Sequence, residues 1–582
     1  VAALTPAAEL ALNLTASQSR THRRRNAALG YAGIFVISCA IVAYAIKLNH
    51  VYYQHGGPFY DSTAYLNGLC DVMTRVHRLG FGTTLKQQIG NSTVFMPWFQ
   101  GMCLSYFCKP SRTVGILIQS VWLVALSLSV FRYFYSIRRY DVAAALSLTL
   151  PFIAPASIFF IDGGLSDFRM DLLQYLTLST SAIFYLSTYE NQSRFNWIMS
   201  GLFMGMSCLC RATSLIYIMI TYAPLLGSRL FYSPDRKALV KEYILLAFLL
   251  TTTAAWFYVA NASFLYYYYC VWNTDANAKL PLSLSILHVV CLFKDVGMPW
   301  IIFAIVVGGI SIAQWRKNRS TKKLSINWAA LWMGLVPCGF LVLRGAGLNP
   351  FVSMPSIFGL MLFLIAPISS VRLTKRPLGI ALFVFSLICA AATAVPALKE
   401  HRNGFQAGGY PLTRMQAFKS AQDAMLNDMR LRRLSTARFY VAHIAWFSSD
   451  TLINSFIYDR GFSYNVDGGG GVIKDGLRLY PRADLSPATQ LEWNSAFNKL
   501  GSTLNGVPLL VQECESNVDY AILLTADSAE RIEKDHKVNF INTKTVAVRK
   551  ALLESGRLSP ISGVITESPA EQFIVYRVNR EI

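Results

Sequence analysis

Apolar runs long enough to cross a hydrocarbon core recur along the first two thirds of the chain, at about 30–48, 113–131, 142–160, 171–187, 242–262, 298–315, 327–343, 351–370 and 377–396. A helix crossing that core needs roughly 20 residues, so each run predicts a membrane span. Between the fourth and fifth lies 196–226, which is interrupted by Arg211 within Cys208-Leu-Cys-Arg-Ala-Thr-Ser214. A charge inside the membrane is costly unless it lies at a turn or a watered cavity, so this stretch predicts two short helices meeting at Arg211. About eleven transmembrane helices follow. After residue 396 the pattern changes to one of mixed α and β type. Ala437–His443, Val518–Leu524 and Gln572–Tyr576 alternate or run as strands, and 412–434 and 527–534 have helical spacing. The tetraglycine Gly468–Gly471 predicts a turn, because no Lys-Ser/Thr follows it as a phosphate loop requires.

Charge orients the helices. Arg20, Arg23, Arg24 and Arg25 precede the first run, and further basic clusters fall at Arg138–Arg139, Arg194, Arg229–Lys241, Arg316–Lys323 and Arg372–Arg376. With a helix pair at 196–226, all of them lie on one side, which the positive-inside rule makes the cytoplasm. The expected organisation is a cytoplasmic segment 1–29, a transmembrane domain 30–396 with outer loops 49–112, 161–170 and 263–297, and an extracytoplasmic α/β domain 397–582. The first run is expected to be a membrane anchor, since a polar stretch precedes it and no clear small-residue cleavage site follows.

Of 582 residues, 53% are hydrophobic and 15% are charged, and 53 basic side chains face 32 acidic ones. So low a charged fraction excludes a chain of soluble domains. The formal charge of +21 does not describe a nucleic-acid binder, because residues 401–582 hold 21 basic and 19 acidic residues and are nearly neutral. The excess is threaded between apolar runs, where it marks orientation. Cys70, Cys103 and Cys108 share the first outer loop, and one disulfide among them is expected in an oxidising compartment.

Scarce acids then indicate where chemistry lies. Residues 1–400 contain 13, and five of these stand in two outer loops: Asp61 and Asp71 in the first, Asp162, Asp167 and Asp171 in the second. A carboxylate held against apolar walls can take a proton from a hydroxyl. The plainer alternative is that Asp162 and Asp167 cap the next helix while Arg169 neutralises Asp171.

Four local features, in this order, resemble the C-type (GT-C) integral-membrane glycosyltransferases, especially the protein O-mannosyltransferases and the aminoarabinose transferase of lipid A. They are Asp61 within Gly56-Gly-Pro-Phe-Tyr-Asp-Ser-Thr-Ala-Tyr-Leu-Asn67, the Asp162–Asp171 loop, the Gly201–Arg211 segment, and Asn349-Pro-Phe-Val-Ser-Met-Pro355. The resemblance implies inverting transfer of a sugar from a polyprenyl phosphate to an extracytoplasmic glycan, lipid or protein. Asp61 is then the first choice for general base and Asp167 the second, with Asp162 and Asp171 beside them. Arg169, Arg211, Arg344, Lys279 and Lys294 are candidates for holding the departing phosphate, and Arg offers the bidentate geometry. Many members pair the first-loop aspartate with an adjacent acid, whereas Ser62 and Thr63 follow Asp61 here. A divalent metal is therefore not favoured. The rival readings are a lipid or glycan transporter and a non-catalytic assembly subunit. A transporter predicts repeated halves and charges near mid-membrane, in place of acids gathered in two loops.

Overall fold

The computed structural model describes residues 6–55, 60–89, 92, 94–161, 163–266, 286–315, 324–344, 350–365, 376–403, 411–441, 449–465, 471–481, 507–534, 540–568 and 571–580. The first part is helical throughout. In chain order the helices are α1 Pro6–His55, α2 Tyr60–Leu79, α3 Phe81–Gln88, α4 Met96–Leu104, α5 Arg112–Arg132, α6 Val142–Ile153, α7 Met170–Glu190, α8 Arg194–Cys210, α9 Ser214–Tyr232, α10 Arg236–Ala260 and α11 Ala262–Tyr266. They continue as α12 Leu287–Val296, α13 Met298–Trp315, α14 Leu324–Arg344, α15 Pro350–Ile365 and α16 Arg376–Asn403.

The chain is a multi-pass membrane protein. Six helical stretches are long and apolar enough to span a membrane, or seven if α12 and α13, bent by 92° at Gly297, form one span. The expected eleven is therefore not reached by this measure among the described residues. Two of the differences have a local cause. The run at 142–160 keeps only 12 helical residues, because the chain leaves the helix before Pro155, whose extended backbone leads into a 3-10 turn at Ala156–Phe159. The run at 171–187 forms α7, which is rich in Ser and Thr and buried from Met170 to Thr188. Thr177, Thr180 and Ser187 return their hydroxyls to carbonyls of their own helix, and Ser181 bonds Ser200 and Tyr222. Such pairing is what lets polar residues lie inside a bundle.

The bundle has two distinct ends. At one, Arg138 at 2.9 Å from Glu190 and Arg229 on the Thr188 carbonyl tie the end of α7 to its neighbours. At the other lie the starts of α5 and α7, the break between α8 and α9, and the end of α16. The α8–α9 break falls where the charge predicts it, with Arg211 in extended conformation between two helices.

The C-terminal part continues with α17 Pro411–Leu431, β1 Thr436–Val441, α18 Ser449–Arg460, β2 Ser463–Asn465, β3 Gly471–Lys474, β4 Leu477–Pro481, α19 Val507–Asn517, β5 Tyr520–Leu524, α20 Ala526–Lys534, α21 Phe540–Glu554, β6 Leu558–Pro560, β7 Ile565–Ser568 and β8 Glu571–Val578. The strands form one sheet in the order β2-β3-β4-β1-β5-β8-β6, with β7 on β8 and with β4, β1 and β5 parallel. Side chains alternate across it. Tyr520, Ile522 and Leu524 pack with Phe418, Met425 and Phe456 of α17 and α18, while Ala521 and Leu523 pack with Cys514, Val548 and Leu552 of α19 and α21. The result is an α/β/α domain. Of the tetraglycine, 468–470 lie outside the described residues, and Gly471 begins β3.

Asp428 anchors this domain from α17. Burial raises its pKa, but hydrogen bonds from Arg577 and Tyr520, with the charges of Arg577 and Arg432, outweigh burial and leave it below the usual carboxylate range. A carboxyl depressed by folding contributes stability that is complete above its unfolded pKa of about 3.9 and is lost as pH falls through the folded value. The thermal midpoint of the purified chain is expected to fall on acidification below about pH 5, and less steeply in Asp428→Asn. Identical slopes would remove Asp428 from that account.

Candidate functional site

The second loop of the sequence is a tight coil between the 3-10 turn and α7. Gly163 has φ +86°, open to glycine, and a Cβ on Gly164 would meet the Phe160 carbonyl. Those two glycines let the chain double back. The Leu165 amide then bonds the Ile158 carbonyl at 2.7 Å, and the Asp167 amide bonds the Gly164 carbonyl at 3.0 Å.

Inside this coil the Asp167 carboxylate accepts the Gly163 amide at 2.7 Å and Arg169 Nε at 2.9 Å. Both Asp167 and Arg169 are buried. Asp171, in the first turn of α7, instead pairs with Arg211. The expectation that Arg169 neutralises Asp171 is thus corrected. Asp167 also does not cap α7, since its carboxylate turns back to Gly163 and residue Arg169 stands at the cap.

Three helices hold the coil from outside. Asn49 of α1 donates to the Ser166 carbonyl at 2.7 Å, Gln119 of α5 donates to the Asp167 carbonyl at 3.0 Å, and Phe168 lies against Gly115 of α5. From α16, His401 Nε2 lies 2.8 Å from the Ser166 hydroxyl, and its Nδ1 lies 2.8 Å from the Ala397 carbonyl. A carbonyl only accepts, so Nδ1 carries the proton and neutral Nε2 accepts from Ser166. Fixed support of this kind is what keeps charged groups in one geometry.

Arg211 is held by the helix break itself. Its amide still bonds the Ser207 carbonyl at 3.0 Å, Ser214 Oγ bonds the same carbonyl at 2.8 Å, and Tyr258 donates to the Ala212 carbonyl at 2.6 Å. The Phe95 amide reaches the Leu209 carbonyl at 2.7 Å, which brings the first loop onto the break. There Trp98 meets Phe168, their rings 6.4 Å apart. The Arg211 side chain is 27% exposed against 4% for Arg169. Of these two guanidiniums, Arg211 is the more exposed.

Asp61 stands in the first turn of α2, and its side chain, like that of Arg344, lies outside the described residues, as do Asp162 and Lys279 entirely. Lys294 is exposed on α12, whose closing Gly297 lies against Ala156. Asp71 is bonded by Arg75 at 2.7 Å; burial raises its carboxyl pKa against the opposing pull of that arginine. The expected disulfide is not formed among Cys70, Cys103 and Cys108. Cys103 and Cys108 are free thiols, Cys108 donates to the Leu104 carbonyl, and Cys70 is buried in α2. Among the described residues no three His, Cys, Asp or Glu side chains are grouped to hold a metal ion.

The C-terminal domain joins the same end of the bundle. Arg112, first residue of α5, donates to Asn454 Oδ1 of α18 at 3.0 Å, lies 3.7 Å from Asp459, and covers the Tyr53 ring at 3.7 Å. Asn454 in turn donates to Asn67 of α2 at 3.2 Å. This knot has no sequence signal, since Asn67 and Asn454 are 387 residues apart. Nor does the Ser166–His401 bond.

No protein-family model matches the chain, and no curated protein matches it. Solved structures do. The structure of ArnT from Cupriavidus metallidurans bound to undecaprenyl phosphate aligns with a TM-score of 0.53 at 10% identity, over 94% of this chain and 97% of that one. The chain has the GT-C fold. The same ArnT in the apo state aligns with a TM-score of 0.53 at 11% identity, over 94% and 98%. In both cases the match takes in the bundle and the C-terminal domain together, so the GT-C arrangement extends over the whole length described above.

Proposed function

We propose that this protein is a glycosyltransferase that moves a sugar from a polyprenyl-phosphate donor to an acceptor hydroxyl or amine of a glycan, lipid or protein outside the cytoplasm. The observation that carries this reading is the partly exposed Arg211, held by Asp171 at the helix break beside the clamped Asp167–Arg169 coil, in a chain with the fold of an ArnT bound to undecaprenyl phosphate. Arg211 meets the phosphate charge as the sugar leaves, so the leaving group departs without a proton. Asp61 is the base that takes the acceptor proton. Asp167 is less suited to that task, because two donors already stabilise its charged form. Its role is to fix Arg169 and the coil, and Asp171 orients Arg211. Lys294, Lys279, Arg344 and Asp162 remain secondary candidates, and a divalent metal is not favoured. The basic clusters support a cytoplasmic far end of the bundle, with the site and the C-terminal domain on the outer side.

Transfer of a labelled sugar from a synthetic polyprenyl phosphate is the test, with the wild type, Asp61→Ala and Asp167→Ala. Activity in the wild type and loss in Asp61→Ala are expected. Equal transfer by all three proteins would remove both aspartates from the mechanism, and no transfer by the wild type from any donor would favour a transporter or an assembly subunit.

A smaller effect is expected at the knot between the domains. Asn454→Leu should lower kcat about tenfold with KM for the donor little changed, because one buried hydrogen bond is worth about 1 kcal/mol and its loss leaves partners unpaired. A parallel fall in KM and kcat, or none in either, would separate α18 from the positioning of α2.

A further inference from the structure

The C-terminal domain is nearly neutral as a whole, but arginines gather at one end of its sheet. Arg430, Arg432 and Arg433 lie at the end of α17 and in the turn before β1. Arg478 of β4 is opposite Thr436, the first residue of β1, and its amide bonds the Ser435 carbonyl at 2.8 Å. Arg577 of β8 is opposite Tyr520, the first residue of β5, and Arg580 follows. All six thus share one end of the sheet. The acids among them are already engaged: Asp428 by Arg577 and Arg432, and Asp519 by Arg580 at 3.0 Å. Asp475, in the turn between β3 and β4, and Glu554, at the end of α21 before β6 and 4.0 Å from Lys550, are further acids at this end. The opposite end of β5, where α20 leaves, is mixed, with Asp527, Glu530 and Glu533 beside Arg531 and Lys534.

Arg430, Arg432, Arg433 and Arg478 are exposed, and Arg433 and Arg478 pair with no acid among the described residues. Arg433 also keeps a left-handed backbone, φ +54°, that non-glycine residues seldom adopt. The position of this end matters. α17 carries the chain roughly 30 Å along its axis before reaching it, and β1 runs back from it toward α18, which is docked on the bundle. The arginines therefore lie a full helix length from the start of α17.

We propose that this arginine end binds an anionic glycan, one with repeated phosphate or carboxylate groups. Exposed guanidiniums on a common edge suit both anions through paired N–H donors. A glycan in preference to a nucleic acid rests on the reading that this domain lies outside the cytoplasm with the transfer site. Held there, a polymer is kept near the bundle at high local concentration.

The test is binding by the full chain in nanodiscs of zwitterionic lipid. The probes are poly(glycerol phosphate), polygalacturonate, neutral dextran and duplex DNA, at low and high salt. Salt-sensitive binding of one or both anionic probes is expected, with none for dextran. The triple variant Arg430→Gln/Arg433→Gln/Arg478→Gln should weaken it about tenfold or more, as loss of charged contacts to a polyanion does. The phosphate and carboxylate arms tell the two anions apart. Unchanged binding in a folded triple variant, equal binding of dextran, or tighter binding of DNA than of either glycan overturns the proposal. Transfer activity is a separate readout. Binding without transfer would leave this inference standing and sink the catalytic reading, and transfer without binding would do the reverse.

Discussion

Asp61→Asn is expected to lower kcat by about a thousandfold, the middle of the range for a positioned general base, while leaving donor binding nearly unchanged. The substitution keeps size and hydrogen-bonding capacity and removes the basic oxygen. Its position in the first turn of α2, on the helix that α18 fastens through Asn67, is the reason for expecting so large an effect. A base must lie within hydrogen-bonding reach of the proton it takes. The measurement is single-turnover transfer across pH. The wild type should show an acidic limb that the variant lacks. If Asp61→Asn retains more than about a tenth of the wild-type rate, a loss far below that expected of a general base, the base is elsewhere, and Asp167→Asn becomes the next variant to examine.

The second large effect is expected at Arg211. Arg211→Gln removes the cation proposed to meet the leaving phosphate, and a hydrogen bond to a charged group is worth about 1.5–3 kcal/mol, so kcat should fall about 10- to 100-fold. Arg211→Lys retains charge without the fork and should recover part of the loss. Asp171→Asn provides the control: if Asp171 serves to orient Arg211, its loss should be smaller, and the double variant should lose little more than Arg211→Gln alone. Additive losses would make the two residues independent. Substitution of Arg169, which is buried and committed to Asp167, should act mainly on the yield of folded protein.

Where sequence reasoning succeeded, local physics was sufficient. The strands expected at 437–443, 518–524 and 572–576 fall on β1 Thr436–Val441, β5 Tyr520–Leu524 and β8 Glu571–Val578, with 442–443 outside the described residues, because apolar β-branched and aromatic runs suit the centre of a sheet. The α8–α9 break followed from the cost of one charge, Arg211, in an apolar run. The short strands β2 to β4 carry too few residues to signal themselves. In the site, the acids and arginines were found but their partners were not. Arg169 and Asp171 are close in sequence, yet the coil turns Arg169 inward to Asp167 while α7 presents Asp171 to the helix break. The clamps from Asn49, Gln119 and His401 come from three helices remote in the chain. No periodicity reports such contacts, because they are created by packing.

The knot of Arg112, Asn67 and Asn454 also bears on the order of biosynthesis. Residues 53, 67 and 112 leave the ribosome early and are inserted long before α18 exists. Until residues 449–460 have been made and have reached the same face of the membrane, Arg112 has no Asn454 to bond and α2 has no outer brace. A chain that stops short of residues 449–460 can therefore carry every membrane helix and still lack the Asn454 bonds that tie the starts of α2 and α5 together.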